Sequence, residues 1–205
     1  HRVHRRQRQM CIRDRSHPSA RVINRQLALR DGPIIPLIAE TGGINCMVVD
    51  STALPEQVVD DVITSAFRSA GQRCSALRVL FVQSDVADGV IELLAGAMKE
   101  LNVGDPHKLS TDVGPVIDQA AHDRISAHLM HLKETATFIA KSPSADPKLN
   151  GYFVEPQAWE ISSLSALHEE VFGPVLHIVR YHSEELDTII KDIRSSKFAL
   201  TMGCL

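Results

Sequence analysis

Cys74 stands in Gly71-Gln72-Arg73-Cys74-Ser75-Ala76, a glycine turn with a cation next to the thiol. A free cysteine is often no more than a small buried hydrophobe, and Cys46, inside Cys-Met-Val-Val, reads that way. Cys74 differs in its polar flanks, and a neighbouring positive charge favours the thiolate, the nucleophilic form. Local features alone leave both readings of Cys74 open. Glu40 closes an apolar run and precedes Thr41-Gly42-Gly43. It reads either as a solvated loop carboxylate or as a general base that activates water, and the paired glycines let a backbone or a flat ligand approach closely. Glu169-Glu170-Val171-Phe172-Gly173-Pro174 sets two carboxylates ahead of an aromatic and a turn. This is an exposed acidic loop, or else one carboxylate accepts hydrogen bonds from ribose hydroxyls while Phe172 packs beside a cofactor ring. His122, His128 and His131 have no carboxylate or cysteine set at ligand spacing and read as surface histidines, with no metal implied. The sequence holds no Gly-x-Gly-x-x-Gly and no phosphate loop.

The elements that position these residues alternate between strand-like and helix-like from Ala20 onward, the pattern of an α/β fold with a mostly parallel sheet and flanking helices. Pro36 to Ala39 is a short apolar run that ends at Glu40, and Cys46 to Val49 is a second. A helix is expected from Pro55, with Val58, Val59, Val62, Ile63, Ala66 and Phe67 on one face and Gly71 at its stop. Leu77 to Gln83 reads as a buried strand, and Asp85 to Leu101 as an amphipathic helix capped by Ser84. Further helices are expected between Gln119 and Thr135 and from Ser183 to Ile193. Thr137 to Lys141, Phe153 to Ile161, Val175 to Tyr181 and Phe198 to Met202 read as strands. Strands joined by helical crossovers make a parallel sheet, whose chemistry ordinarily gathers at the carboxyl ends of its strands. Glu40 sits at such an end, whereas Cys74 falls in a helix-to-strand turn.

Composition bounds the rest. Of 205 residues, 44% are hydrophobic and 23% charged, the balance of an ordinary globular chain long enough to bury a core without disulfides. The four cysteines are scattered, with no Cys-x-x-Cys, which points to a reducing compartment and against a structural metal. No apolar run approaches the ~18 residues of a spanning helix, so a cytoplasmic, soluble protein is expected. The first fifteen residues carry six of the 22 basic residues and one of the 25 acidic ones, leaving 16 against 24 in the body, a net of −8. Such a start reads as a basic arm for nucleic acid or as a segment foreign to the domain that follows. Composition favours the second, so residues 1–19 are set aside as non-native or disordered, and no nucleic-acid partner is expected.

Taken together, Glu40-Thr41-Gly42-Gly43, Gly71-Gln72-Arg73-Cys74, Gly104-Asp105-Pro106, Thr111-Asp112-Val113-Gly114-Pro115, Gly151-Tyr152-Phe153-Val154-Glu155-Pro156 and Glu170-Val171-Phe172-Gly173-Pro174 resemble the aldehyde dehydrogenase superfamily, in its order. The versions Ala-Glu-Thr-Gly-Gly-x-Asn and Gly-Gln-Arg-Cys-Ser-Ala-Leu-Arg resemble its L-glutamate γ-semialdehyde (pyrroline-5-carboxylate) dehydrogenases, in the form carried by bifunctional bacterial proline-utilization proteins. The resemblance covers Arg21 to Leu205. It implies Cys74 as the nucleophile and Glu40 as the base that activates the hydrolytic water. It also implies NAD as cofactor, with Glu170 on the nicotinamide ribose, Phe172 beside the ring and Thr41 and Gly42 nearby. Ser75 would face the aldehyde substrate, and the Cys74 N–H would supply half of the oxyanion hole. FAD is implied only if a proline dehydrogenase domain lies elsewhere in the parent protein, itself expected to be a homo-oligomer. Residues 20–40 would end a dinucleotide-binding domain and residues 41–205 would form the catalytic domain, cut at its carboxyl end. The family's asparagine oxyanion donor and most of its dinucleotide site fall outside this sequence, so the piece alone is expected to be inactive. Rival readings are another semialdehyde dehydrogenase of the superfamily or a catalytically silent interaction fragment.

Overall fold

The computed structural model describes residues 11–15, 17–196 and 200–205, with side chains from Ser19 onward. The chain divides into two units, residues 1–42 and 43–205. In the first, strand β1 (Cys11–Arg15), helix α1 (His17–Leu29) and strand β2 (Leu37–Thr41) form a β-α-β unit with its two strands parallel. Most of the Arg-rich start lies outside the described residues, but its last five residues are β1, and α1 begins ahead of the expected Ala20.

The second unit is a six-stranded sheet wrapped by helices. Its elements in chain order are β3 (Asn45–Val49), α2 (Pro55–Val62), β4 (Leu77–Gln83), α3 (Ser84–Lys99), α4 (Gln119–Thr135), β5 (Thr137–Lys141), β6 (Gln157–Glu160), β7 (Val175–Tyr181), α5 (Leu186–Ser196) and β8 (Met202–Cys204). The spatial order is β5-β6-β7-β4-β3-β8, parallel throughout except for the antiparallel β5-β6 edge pair. Every residue of β3 and β4 is buried. A central parallel strand covered on both faces requires such continuous apolar runs.

The helices form where the sequence starts and stops them. Pro55 occupies the first turn of α2, where its missing N–H costs nothing, and Glu56 complements the helix dipole there. Val58, Val59 and Val62 then face the core. Asp118 caps α4 by accepting the Ala121 N–H at 2.7 Å. Ser84 does not cap α3. It is the first residue of that helix, and its hydroxyl donates to the Tyr181 carbonyl at 3.0 Å, tying α3 to β7. The expected Phe153–Ile161 strand is confined to Gln157–Glu160, and the last strand falls at Met202–Cys204, with part of the expected Phe198–Met202 span outside the described residues.

Asn45, Leu77 and Val175 open three adjacent parallel strands in near register, so the loops before β3, β4 and β7 meet at one edge of the sheet. Cys74 lies in one of these loops and Glu170 in another. Within this unit they gather at the amino ends of the strands, opposite to the edge that parallel-sheet topology ordinarily favours.

Candidate active site

The helix expected to run from Pro55 to Gly71 changes form before it reaches the thiol. After α2 the chain makes a π-helical turn at Ile63–Phe67 and a 3₁₀ turn at Arg68–Gly71. There Ser69, Ala70 and Gly71 take φ of 58°, 52° and 64°. Left-handed backbone costs a non-glycine residue on the order of 1–3 kcal/mol and persists only where surrounding contacts hold it. Those contacts are visible here. Arg73 Nη2 donates to the Thr64 and Ser65 carbonyls at 2.9 and 3.2 Å, and the Ala76 N–H returns to the Arg73 carbonyl at 3.1 Å. The Arg73 Nε is buried without a partner among the described residues. Cys74 emerges from this turn exposed.

Asn45, 1% exposed, fixes the carbonyls on either side of Ser75. Its Nδ2 donates to Cys74 O at 2.7 Å and Ala76 O at 2.9 Å, and its Oδ1 accepts the Leu200 and Thr201 N–H groups at 3.1 and 2.9 Å. Both donors and both acceptor positions of the amide are used, which is what makes its burial tolerable. A pocket of about 260 Å³ opens beside it, lined by Asn45, Ser65, Ser75 and Thr201 among others. Ser75 thus stands in the pocket wall immediately after the thiol.

On the other side of the turn, Arg78, 1% exposed, spreads its guanidinium between two loops. It donates to Gly71 O (2.7 Å), Arg73 O (3.2 Å) and Gly173 O (3.2 Å), and both Nε and Nη2 reach Glu170 Oε1, at 3.3 and 3.0 Å. Its Cζ lies 5.3 Å from the centroid of the Phe172 ring, a cation–π contact. Burial pushes Arg78 down from its ordinary range while Glu170 pulls it back up. Burial likewise raises Glu170 against the opposing pull of Arg78 and of the Gly43 N–H. In each group burial opposes the charged form and the partner favours it. Phe172 remains 42% exposed.

Cys74, Ser75, Glu170 and Phe172 therefore sit on loops of one sheet edge. Glu40, Thr41 and Gly42 belong to the first unit, with Glu40 exposed on β2 and Thr41 and Gly42 half-buried. Asn45 and Arg78 escaped sequence reasoning. The signal is present, since each is a polar residue in a mostly apolar strand, and an arginine is almost never fully buried unless paired. His128 corrects the reading of a surface histidine. It is half-buried, and its Nε2 lies 2.8 Å from Nε2 of His177, which is 1% exposed. Among the described residues, no group of three or more His, Cys, Asp or Glu side chains could hold a metal ion. No described helix is long and apolar enough to cross a membrane.

A parallel sheet covered on both faces, with an exposed thiol and a guanidinium–carboxylate pair at one edge, has the character of an α/β enzyme. The aldehyde dehydrogenase family model matches residues 16–204, and the chain belongs to that family. It is similar to the bifunctional protein PutA of Escherichia coli (strain K12), with 48% identity over 192 residues, 90% of this chain and 14% of that protein. It is also similar to the 1-pyrroline-5-carboxylate dehydrogenase of Geobacillus thermodenitrificans, with 32% identity over 167 residues, 80% of this chain and 32% of that one. A crystal structure of bifunctional proline utilization A (PutA) superimposes with a TM-score of 0.89 at 54% identity, covering 94% of this chain and 19% of that chain. The chain thus spans only 14–15% of the PutA relatives' length.

Proposed function

We propose that this chain forms the thiol-bearing part of an NAD-dependent dehydrogenase that oxidises L-glutamate γ-semialdehyde to L-glutamate in proline breakdown. In this reading residues 41–205 are catalytic and residues 20–40 close the dinucleotide-binding part. The observation that carries it is the exposed Cys74 on a strained turn held by buried Arg78 and Asn45, next to a half-buried carboxylate and an exposed aromatic ring. Similarity to PutA and to 1-pyrroline-5-carboxylate dehydrogenase supports the substrate.

The Glu170 loop suits the nicotinamide side of the cofactor. Both Arg78 bonds to Glu170 fall on Oε1, which leaves Oε2 free of the guanidinium to accept ribose hydroxyls, and Phe172 offers a flat apolar face. Bound there, the cofactor supplies the hydride acceptor. The Cys74 thiolate adds to the aldehyde carbon, and the Cys74 backbone N–H donates to the oxygen that becomes an oxyanion. After oxidation Cys74 carries the acyl group as a thioester. Glu40 then takes a proton from water, whose oxygen attacks the thioester carbon; the carbon–sulfur bond breaks, the carboxylic acid leaves, and Cys74 is returned as thiolate with the proton on Glu40. Ser75, in the pocket wall, positions the substrate tail.

The test uses the full-length protein that carries this segment. Cys74→Ala is expected to abolish both NADH formation and acyl-enzyme formation. Glu40→Gln is expected to give a stoichiometric NADH burst without turnover, because the thioester forms and its water lacks a base. Normal turnover by Glu40→Gln overturns the base assignment, and residual turnover by Cys74→Ala overturns the whole reading.

A further inference from the structure

We infer that Arg78 is a positioning residue that locks the nucleophile turn to the cofactor loop, so that a single buried guanidinium sets where Cys74 stands relative to Glu170. The inference rests on the roles proposed above for those two residues.

Arg78 lies on an interior strand of the sheet, one residue in from its amino end, and the other positions of that strand are mostly apolar. Burying a cation there is costly unless every donor is met. Its donors are met by two groups of acceptors. Gly71 O and Arg73 O belong to the turn that ends in Cys74, and Gly173 O and Glu170 Oε1 belong to the loop before β7. The two loops also touch backbone to backbone, because a Cβ on Gly71 would lie 2.2 Å from Gly173 O and 2.5 Å from Gly173 C. A shift of one loop is therefore felt by the other. Phe172, stacked on the same guanidinium, ties the aromatic ring into the same unit. Lysine cannot replace this arrangement. Its three donors radiate from one point and cannot span acceptors set around a planar fork.

A purely structural arginine in the core would leave cofactor binding and thiol reactivity uncoupled, and this separates the two possibilities. Arg78→Lys, Glu170→Gln and the double variant are made in the full-length protein, with circular dichroism to confirm folding. Each is titrated with NAD⁺ and alkylated with iodoacetamide in the absence of cofactor. Each single variant is expected to weaken NAD⁺ binding about tenfold or more, and the double variant to lie within about threefold of the weaker single one, because both changes remove the same link. Losses that multiply in the double variant overturn the proposal. The Glu170 carboxylate reaches the turn through the Arg78 guanidinium, so Glu170→Gln is also expected to change the Cys74 alkylation rate by about threefold or more. An unchanged alkylation rate overturns it, and this arm stands even if Arg78→Lys does not fold. If Glu170→Gln binds NAD⁺ as tightly as the parent, the assignment of Glu170 to the cofactor fails, and the alkylation rate alone decides the role of Arg78.

Discussion

Two described thiols show how environment separates chemistry from packing. Cys46 is 3% exposed, its sulfur donates to Ile44 O at 3.3 Å, and burial pushes its thiol up to about 12. At pH 7 roughly one molecule in 10⁵ would carry that group as thiolate. Cys74 is exposed on a turn whose carbonyls are tied back by Asn45 and Arg78, so its position does not depend on burial of its own side chain. Iodoacetamide is expected to label Cys74 at least about a hundredfold faster than Cys46 in the native protein, since only the thiolate reacts and access is unequal. Peptide mapping after timed quenching reads the ratio, and earlier labelling of Cys46 would contradict the assignment of Cys74 as nucleophile.

At the scale of elements, the helix that begins at Pro55 delivers the thiol by ceasing to be a helix. A regular helix continued to Gly71 would use its carbonyls internally. The π and 3₁₀ turns instead free Thr64 O and Ser65 O for Arg73, and they turn the chain through three left-handed residues into β4. Gly71 is required on two grounds, a φ of +64° and backbone atoms of Gly173 where a side chain would stand. Gly71→Ala is expected to destabilise the protein by about 2 kcal/mol or more and to slow turnover, because the strained backbone and the Gly173 contact both have to give. Gly89, inside α3 with nothing within 4 Å of its missing Cβ, provides the control. Gly89→Ala is expected to stabilise by about 0.5–1 kcal/mol through helix propensity alone. Urea denaturation of the two variants measures both values, and equal effects would show that the turn does not need its glycine.

Across the whole molecule, a buried histidine and a half-buried one couple sheet to helix and make stability sensitive to acid. His177 on β7 has its Nδ1 2.9 Å from the Arg78 carbonyl, so Nδ1 carries the proton and Nε2 accepts one from His128 Nε2 on α4. Burial pushes His128 down to about 4, with His131 adding to the fall, and His177 down to about 3, where the bond to the Arg78 carbonyl pulls the other way and the charges of His128 and Arg78 add to the fall, against 6.5 for the free ring. Both rings are thus neutral when folded and take up protons more readily when unfolded. Their contribution is complete above pH 6.5 and is lost as pH falls from there toward the folded values. His177 alone is expected to cost about 2–3 kcal/mol of stability between pH 6.5 and 4.5. Denaturation midpoints across that range check it, with His177→Gln expected to flatten the slope. A slope unchanged in His177→Gln would show that other groups govern acid sensitivity.

Periodicity and propensity were enough to read the alternation of strands and helices. β3, β4, β7, α3 and α4 lie where apolar runs and i, i+3, i+4 spacing put them, because a covered sheet and an amphipathic helix each need one unmistakable pattern. The six motifs carried the family, which the match over residues 16–204 bears out. Tertiary structure alone decided what surrounds the thiol. Nothing local marks the change from α to π to 3₁₀ before Gly71, since the apolar spacing continues through Ala66 and Phe67 and the departure is fixed by Arg73 and Gly173 from outside the segment. Ser84 has the residue type of a cap, yet its hydroxyl is claimed by the Tyr181 carbonyl, 97 residues away. His128 looks like a surface residue on its helix and is turned inward by His177, 49 residues distant. Arg78 pairs with Glu170 across 92 residues. Sequence spacing reports which side chains share an element, but a buried polar group is placed by the partner that satisfies it, and that partner is chosen only when the strands come together.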